Sequence, residues 1–179
     1  MRKRIIAFAG SNSTQSINRS LVAKTLESFA EYDIEFLDLD DFEMPIYSTD
    51  REQKNGISEK AHQFRKYMFD CDAIICSFAE HNGNFTVAFK NIFDWCSRID
   101  MNVFAGKPMF MMSTSPSKFG GKFVMEIAQK SLPFYGANIV ETFSLPFYYQ
   151  NLIDNEIVDE ALKAEYSEKV ESFKKLLLK

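Results

Sequence analysis

Short apolar runs that alternate with segments of helical period constrain this chain more than any other feature. Arg4-Ile5-Ile6-Ala7-Phe8-Ala9 is unbroken and stops at Gly10, and such a run suits a strand covered by helices on both faces. Leu21, Val22, Leu26 and Phe29 then recur at helical spacing, which predicts a helix from about Asn18 to Ala30. Asp33 to Leu39 reads as a second strand. From Asp40 to Gly56 there is no regular period, and the segment contains Pro45 and ends in Asn55-Gly56, so a long surface loop is expected.

The alternation continues to the end. Ile57, Ala61, Phe64 and Met68 mark a second helix, and Asp72 to Phe78 a third strand. A third helix carries Phe85, Phe89, Ile92, Phe93 and Cys96, and Met109 to Ser113 follows Gly106-Lys107-Pro108 as the fourth strand. Gly120-Gly121 opens a helix bearing Val124, Ile127, Ala128 and Leu132, Gly136 closes it, and Ala137 to Phe143 is a fifth strand. Val158, Leu162, Tyr166, Val170, Phe173 and Leu177 form the stripe of a last helix. This order predicts a doubly wound α/β fold, a five-stranded parallel sheet between two helical layers.

With 179 residues, one domain spanning 1–179 is expected. A composition 46% hydrophobic and 15% aromatic supplies a full core and excludes intrinsic disorder. The net charge of −4 disfavours a nucleic-acid backbone as partner. No apolar stretch approaches a membrane span or a secretory leader, and no metal-ligand spacing is present. Cys71, Cys76 and Cys96 are an odd number without close pairing, which fits reduced thiols and a cytoplasmic location.

In a doubly wound sheet the ligand lies at the carboxyl ends of the strands, where strand order reverses. The loops Gly10 to Ile17, Ala79 to Phe85 and Thr114 to Gly121 therefore form the candidate site. The first is rich in hydroxyls and amides, from Ser11 through Asn18, and stands between a strand and a helix start. Such a loop serves equally as a phosphate cradle or as an ordinary capped turn. Neither a nucleoside-triphosphate P-loop nor a dinucleotide fingerprint is present, and no carboxylate cluster or cysteine nucleophile ends the first strand.

The pattern Gly10-Ser11-x-x-x-x-Ser16-x-Asn18, joined to Glu80-His81-Asn82-Gly83 and to Lys90-Asn91 and Asp94-Trp95, resembles the NADPH-dependent FMN reductase family. The resemblance also takes in Met44-Pro45-Ile46-Tyr47 and Gly120-Gly121. It implies a flavodoxin-like fold of strand order 2-1-3-4-5, FMN as cofactor, and NADPH or NADH as co-substrate. By position, Ser11, Ser13, Ser16 and Asn18 would hold the phosphate, with Ile17 beside them. Ala79, Glu80, His81, Asn82 and Gly83 would border the isoalloxazine, and Ser113, Ser115, Pro116 and Gly120 would form a third wall.

Three positions depart from the family pattern. Ser13 stands where many members carry Arg, Ala79 replaces Pro, and His81 replaces Tyr. A histidine there stacks on the ring, donates to the reduced flavin or faces solvent, and redox tuning by His81 is one expectation. No side chain is assigned as catalytic, because the flavin carries the chemistry and the polypeptide supplies orientation and electrostatics. Arg51, Arg98 and Lys118 are loop or loop-proximal candidates for the 2′-phosphate of NADPH. Phe134, Tyr135, Phe147, Tyr148 and Tyr149 are candidates for the pocket rim.

The expected activity is an FMN-dependent NAD(P)H oxidoreductase that passes electrons in ping-pong fashion to a small acceptor such as a quinone, azo compound, free flavin or metal ion. A flavodoxin-like electron carrier without nicotinamide turnover is the alternative, and a scaffold domain that has lost the flavin is a third. The resemblance further implies a homodimer or a dimer of dimers, with Phe89, Phe93 and Trp95 divided between core and subunit contact.

Overall fold

The computed structural model describes residues 2–178. Its main sheet runs β1 (Arg4–Gly10), β2 (Asp33–Leu37), β3 (Ala73–Phe78), β4 (Pro108–Thr114) and β5 (Asn138–Leu145). The strands lie in the order β2-β1-β3-β4-β5, and every neighbouring pair is parallel. This is the flavodoxin-like order, and strand order reverses between β1 and β3.

Five helices cover the sheet: α1 (Ile17–Leu26), α2 (Glu59–Asp70), α3 (Val87–Ile99), α4 (Lys122–Ser131) and α5 (Glu160–Leu177). Strand period assigns the faces. Ile6 and Phe8, Ile74 and Cys76, and Met109 and Met111 point into a core with residues of α2, α3 and α4. Ile5 and Ala7, Ala73 and Ile75, and Phe110 and Met112 point the other way, against α1 and α5. Burial on both faces is the reason the strands read as unbroken apolar runs.

Many of the phenylalanines belong to these cores. Phe89 packs its ring 4.7 Å from Phe78, 5.0 Å from Phe85 and 5.9 Å from Phe8. Phe78 ends β3, so this aromatic cluster reaches the carboxyl edge of the sheet.

Several boundaries differ from the sequence expectation. β2 stops at Leu37, because Asp38 accepts from Asp40 N and turns Leu39–Phe42 into a 3₁₀ segment. The expected loop from Asp40 to Gly56 also holds a short helix, Thr49–Asn55, capped by Ser48. α1 ends at Leu26 and tightens into a 3₁₀ turn over Glu27–Phe29, which carries the apolar stripe three residues further. Leu132 likewise lies in a 3₁₀ turn beyond α4, and Val158 precedes α5, which Asp159 caps.

Candidate functional site

The three expected loops meet at the carboxyl edge of the sheet. Gly10 ends β1 directly beside Phe78, and a Cβ at Gly10 would stand 2.7 Å from the Phe78 ring. Only a residue without a side chain lets the two strand ends approach this closely. Thr86 then ties the neighbouring loop down: its Oγ1 donates to the Gly10 carbonyl at 2.8 Å and accepts from Phe89 N as the cap of α3.

The first loop presents Asn12, Ser13, Thr14 and Gln15 to solvent, with Ser11 half-buried. Ser16 caps α1 by accepting from Arg19 N, and Ile17 begins the helix. The first turn of α1 carries no acidic residue, so the positive end of the helix is left without a carboxylate. Ser11 Oγ accepts from Ser13 N at 3.2 Å, and Ser16 N donates to the Ser13 carbonyl at 3.1 Å.

Asn18 takes a different task from the phosphate contact expected of its side chain. It is buried, its Oδ1 accepts from Ser77 Oγ at 2.7 Å and from Thr114 N at 3.0 Å, and its Nδ2 donates to the Thr114 carbonyl at 3.2 Å. The side chain thereby fastens the start of α1 to the ends of β3 and β4.

The second loop is a small hairpin. Glu80–His81 pairs with Asn84–Phe85 across Asn82 and Gly83, whose φ values of 53° and 73° are both positive. Two positive φ values are what a two-residue hairpin turn of right-handed twist requires, and Asn-Gly adopts them readily. The Asn82-Gly83 pair is thus the signal in the sequence from which this hairpin is readable. Ala79 is buried, whereas His81 and Asn82 are exposed. Glu80 does not face an open cleft alone: its Oε2 accepts from Val124 N at 2.9 Å, at the first turn of α4.

The third loop is shaped by two glycines in the left-handed region, Gly120 at φ +57° and Gly121 at φ +82°. Ser113 and Ser144 both donate to the Gly120 carbonyl, at 2.6 and 2.8 Å. Ser113 and Gly120, expected as wall residues, are buried supports of this turn, while Pro116 is exposed and Ser115 half-buried. The segment after β5 holds the loop from outside, since Phe147 N donates to the Ser117 carbonyl and Tyr148 N to that of Ser115. Phe147, Tyr148 and Tyr149 therefore adjoin the site, whereas Phe134 and Tyr135 lie in the turn beyond α4.

A cleft of about 260 Å³ opens beside these loops. Asn12 and His81 line it from the site, Phe42, Met44 and Ile46 from the segment after β2, and Val87 and Ile92 from α3. Asp40 and Glu43 also line it, and no Lys or Arg among the described residues does. The motif residues of α3 explain how the Met44–Tyr47 segment is held there. Asn91 accepts from Tyr47 N at 2.9 Å and donates to the Met44 carbonyl at 3.0 Å, and Trp95 Nε1 donates to the Pro45 carbonyl at 2.8 Å.

Trp95, Phe89 and Phe93 are all buried within the chain, so the division between core and subunit contact does not apply to them. Of the candidate cations for a 2′-phosphate, Arg98 pairs with Glu52, Arg51 donates to the Ile46 carbonyl, and Lys118 lies over the Phe119 ring. The thiols stand apart from the site chemistry. Burial pushes Cys71 up to about 11 and Cys96 up to about 12, and raises Cys76 as well.

The model of the NADPH-dependent FMN reductase family matches residues 3–150. A Mycoplasma pneumoniae protein, the MG342 homolog, is 32% identical over 136 residues, covering 72% of this chain and 78% of that protein. The quinone reductase of Escherichia coli K12 is 25% identical over 154 residues, or 86% of this chain and 80% of the other. Among solved structures, the flavoenzyme NAD(P)H:(acceptor) oxidoreductase FerB of Paracoccus denitrificans superposes with a TM-score of 0.69 at 24% identity, covering 97% and 98% of the two chains. No helix among the described residues is long and apolar enough to cross a membrane.

Proposed function

The chain belongs to the NADPH-dependent FMN reductase family, and from that premise we propose that it binds FMN at the carboxyl edge of β1, β3 and β4 and reduces a small planar acceptor at the expense of NAD(P)H. Bound FMN would supply the redox chemistry, taking a hydride from the nicotinamide and giving two electrons to the acceptor in a ping-pong cycle. The chain's own residues supply binding and orientation.

The observation that carries this reading is the contrast between two helix starts at the site. α4 has its first turn occupied by the Glu80 carboxylate, whereas α1 opens under a hydroxyl-rich loop with no acidic residue in its first turn. A phosphate monoester fits at α1, where the helix dipole and neutral donors favour an anion without an arginine at position 13. Ser11, Ser13 and Ser16, with the amides of Ile17 and Asn18, would hold it. The side chain of Asn18 would serve indirectly, by keeping this loop against Thr114.

Across the sheet edge, the hairpin from Ala79 to Phe85 and the loop from Ser115 to Gly121 would border the ring. Exposed His81 and Asn82 stand on the open side, where a nicotinamide or an acceptor approaches. The adjoining cleft suits one aromatic acceptor, and its carboxylates, with no lining cation among the described residues, disfavour an anionic one over a neutral one such as a quinone. Ile46 and Val87, exposed at 65% and 69%, are apolar groups that a second copy would cover in a homodimer.

The test is a visible spectrum of protein incubated with FMN and desalted, followed by anaerobic NADPH or NADH. A yellow band that stays with the protein and bleaches supports the reductase. Retained flavin that neither nucleotide bleaches selects the electron carrier, and no retained flavin removes the FMN reading. Light scattering after size exclusion tests the dimer.

A further inference from the structure

The Glu80 carboxylate reaches out of the hairpin and accepts from Val124 N at 2.9 Å. α4 needs this, because it starts from left-handed Gly121 and carries no capping side chain of its own. An acidic group at a helix start gains both the hydrogen bond and the favourable dipole. No other hydrogen bond joins residues 79–85 to α4 among the described residues.

The remaining contacts of the hairpin are apolar. Phe85 anchors the base of the hairpin against Phe78 and Phe89. At the tip, Gly83 passes Phe123 closely enough that an added Cβ would stand 3.8 Å from its Cβ. His81 and Asn82 project into solvent. Glu80 is thus the polar tie between the hairpin and the start of α4, beside the apolar packing of Gly83 on Phe123.

We propose that Glu80 is a positioning residue: by bonding Val124 it fixes the hairpin against the start of α4 and so sets the width of the slot that receives the flavin ring. This rests on the FMN reading above. Its effect is on the ring and not on the phosphate, which lies at α1. The Glu80 carboxylate also fills the positive end of α4.

The experiment titrates FMN and riboflavin separately into wild type, Glu80→Gln and Glu80→Ala, followed by quenching of flavin fluorescence. Glu80→Ala weakens both flavins by a similar factor, about fivefold, on the scale of one lost hydrogen bond. Glu80→Gln, whose amide oxygen still accepts from Val124, restores affinity to within about twofold of wild type on the same scale. Hydrogen exchange on the flavin-free proteins gives an independent reading, in which the Val124 amide exchanges faster in Glu80→Ala than in wild type. Unchanged affinity in Glu80→Ala, loss for FMN alone, or unchanged Val124 exchange each overturns the role. A wild type that binds neither flavin instead defeats the FMN reading, and the role with it.

Discussion

Asn18 grips Thr114 at both its backbone N–H and its backbone carbonyl, through contacts of 3.0 and 3.2 Å across 96 residues of sequence. Ser77 completes the set by donating to the same Oδ1. One buried amide therefore locks the start of α1 to the ends of two central strands. Asn18→Ala leaves the Thr114 groups and the Ser77 hydroxyl without this partner, and urea unfolding is expected to show a loss of about 2–4 kcal/mol. Asn18→Asp keeps the acceptor but turns an oxygen toward the Thr114 carbonyl, so it too is destabilising. Wild-type stability in both variants would refute the strut.

Ser16 stands at the same helix start with a different expected signature. Its hydroxyl caps α1 and adjoins the loop proposed for the phosphate. Ser16→Ala is expected to cost about 1 kcal/mol of stability, as lost caps typically do. In flavin titrations it lowers affinity for FMN and leaves riboflavin, which lacks the phosphate, nearly unchanged. Equal losses for both ligands would move the phosphate away from this loop.

Gly120 tests the shape of the third loop. An added Cβ would stand 2.4 Å from Ser144 Oγ, 3.0 Å from Pro146 N and 3.2 Å from the Leu145 carbonyl carbon, in a backbone of φ +57°. Side-chain rotation relieves only the first of these. Gly120→Ala is therefore expected to destabilise by about 1–3 kcal/mol, the scale of a residue forced into a sparsely populated backbone region, as read by thermal or urea unfolding. Near-neutral stability would mean that the loop relaxes without its glycine.

Much of this architecture is legible in local sequence. Arg4 to Ala9 and Asp72 to Phe78 read as strands because helices bury both of their faces, and Gly120-Gly121 marks the start of α4. The roles of Asn18 and Glu80 are not legible, because each depends on a partner that folding brings near, 96 and 44 residues away. The family resemblance makes Asn18 a phosphate ligand, and only the burial of its amide against Thr114 redirects its side chain. Likewise, Asn91 and Trp95 announce a family without revealing that their hydrogen bonds hold the Met44–Tyr47 segment.

The buried thiols and Tyr166 predict an alkaline limit to stability. Burial raises Cys71 to about 11, Cys96 and Tyr166 to about 12, and Cys76 as well, from ordinary values of 9.0 for a thiol and 10.0 for a tyrosine. Above pH 9 the unfolded chain loses these protons before the folded chain does, so the unfolded state binds fewer protons and stability falls as pH rises. Each raised group contributes a slope of up to about 1.4 kcal/mol per pH unit once its unfolded form is ionised. Urea midpoints should be level from pH 7 to 8.5 with respect to these groups and drop beyond pH 9. Cys76→Ala should show a shallower decline, and an identical decline would clear Cys76 of any part in it.

The cleft proposed for the acceptor gives the sharpest test of specificity. Asp40 and Glu43 line it without a Lys or Arg, beside apolar Phe42, Met44, Ile46 and Val87. An acceptor carrying a sulfonate would bring its charge toward two carboxylates, whereas a neutral naphthoquinone of the same ring size meets only the apolar wall. The repulsion is electrostatic and exposed, so it weakens with salt over a Debye length of about 10 Å at 0.1 M. In low salt, Asp40→Asn combined with Glu43→Gln should raise kcat/KM for a naphthoquinone sulfonate by about three- to tenfold, the equivalent of a small surface charge interaction. The neutral quinone should change little, and added salt should shrink the difference between wild type and variant. A ratio of the two acceptors that ignores both the substitutions and the salt would place the acceptor elsewhere on the flavin edge, even if turnover itself is unimpaired.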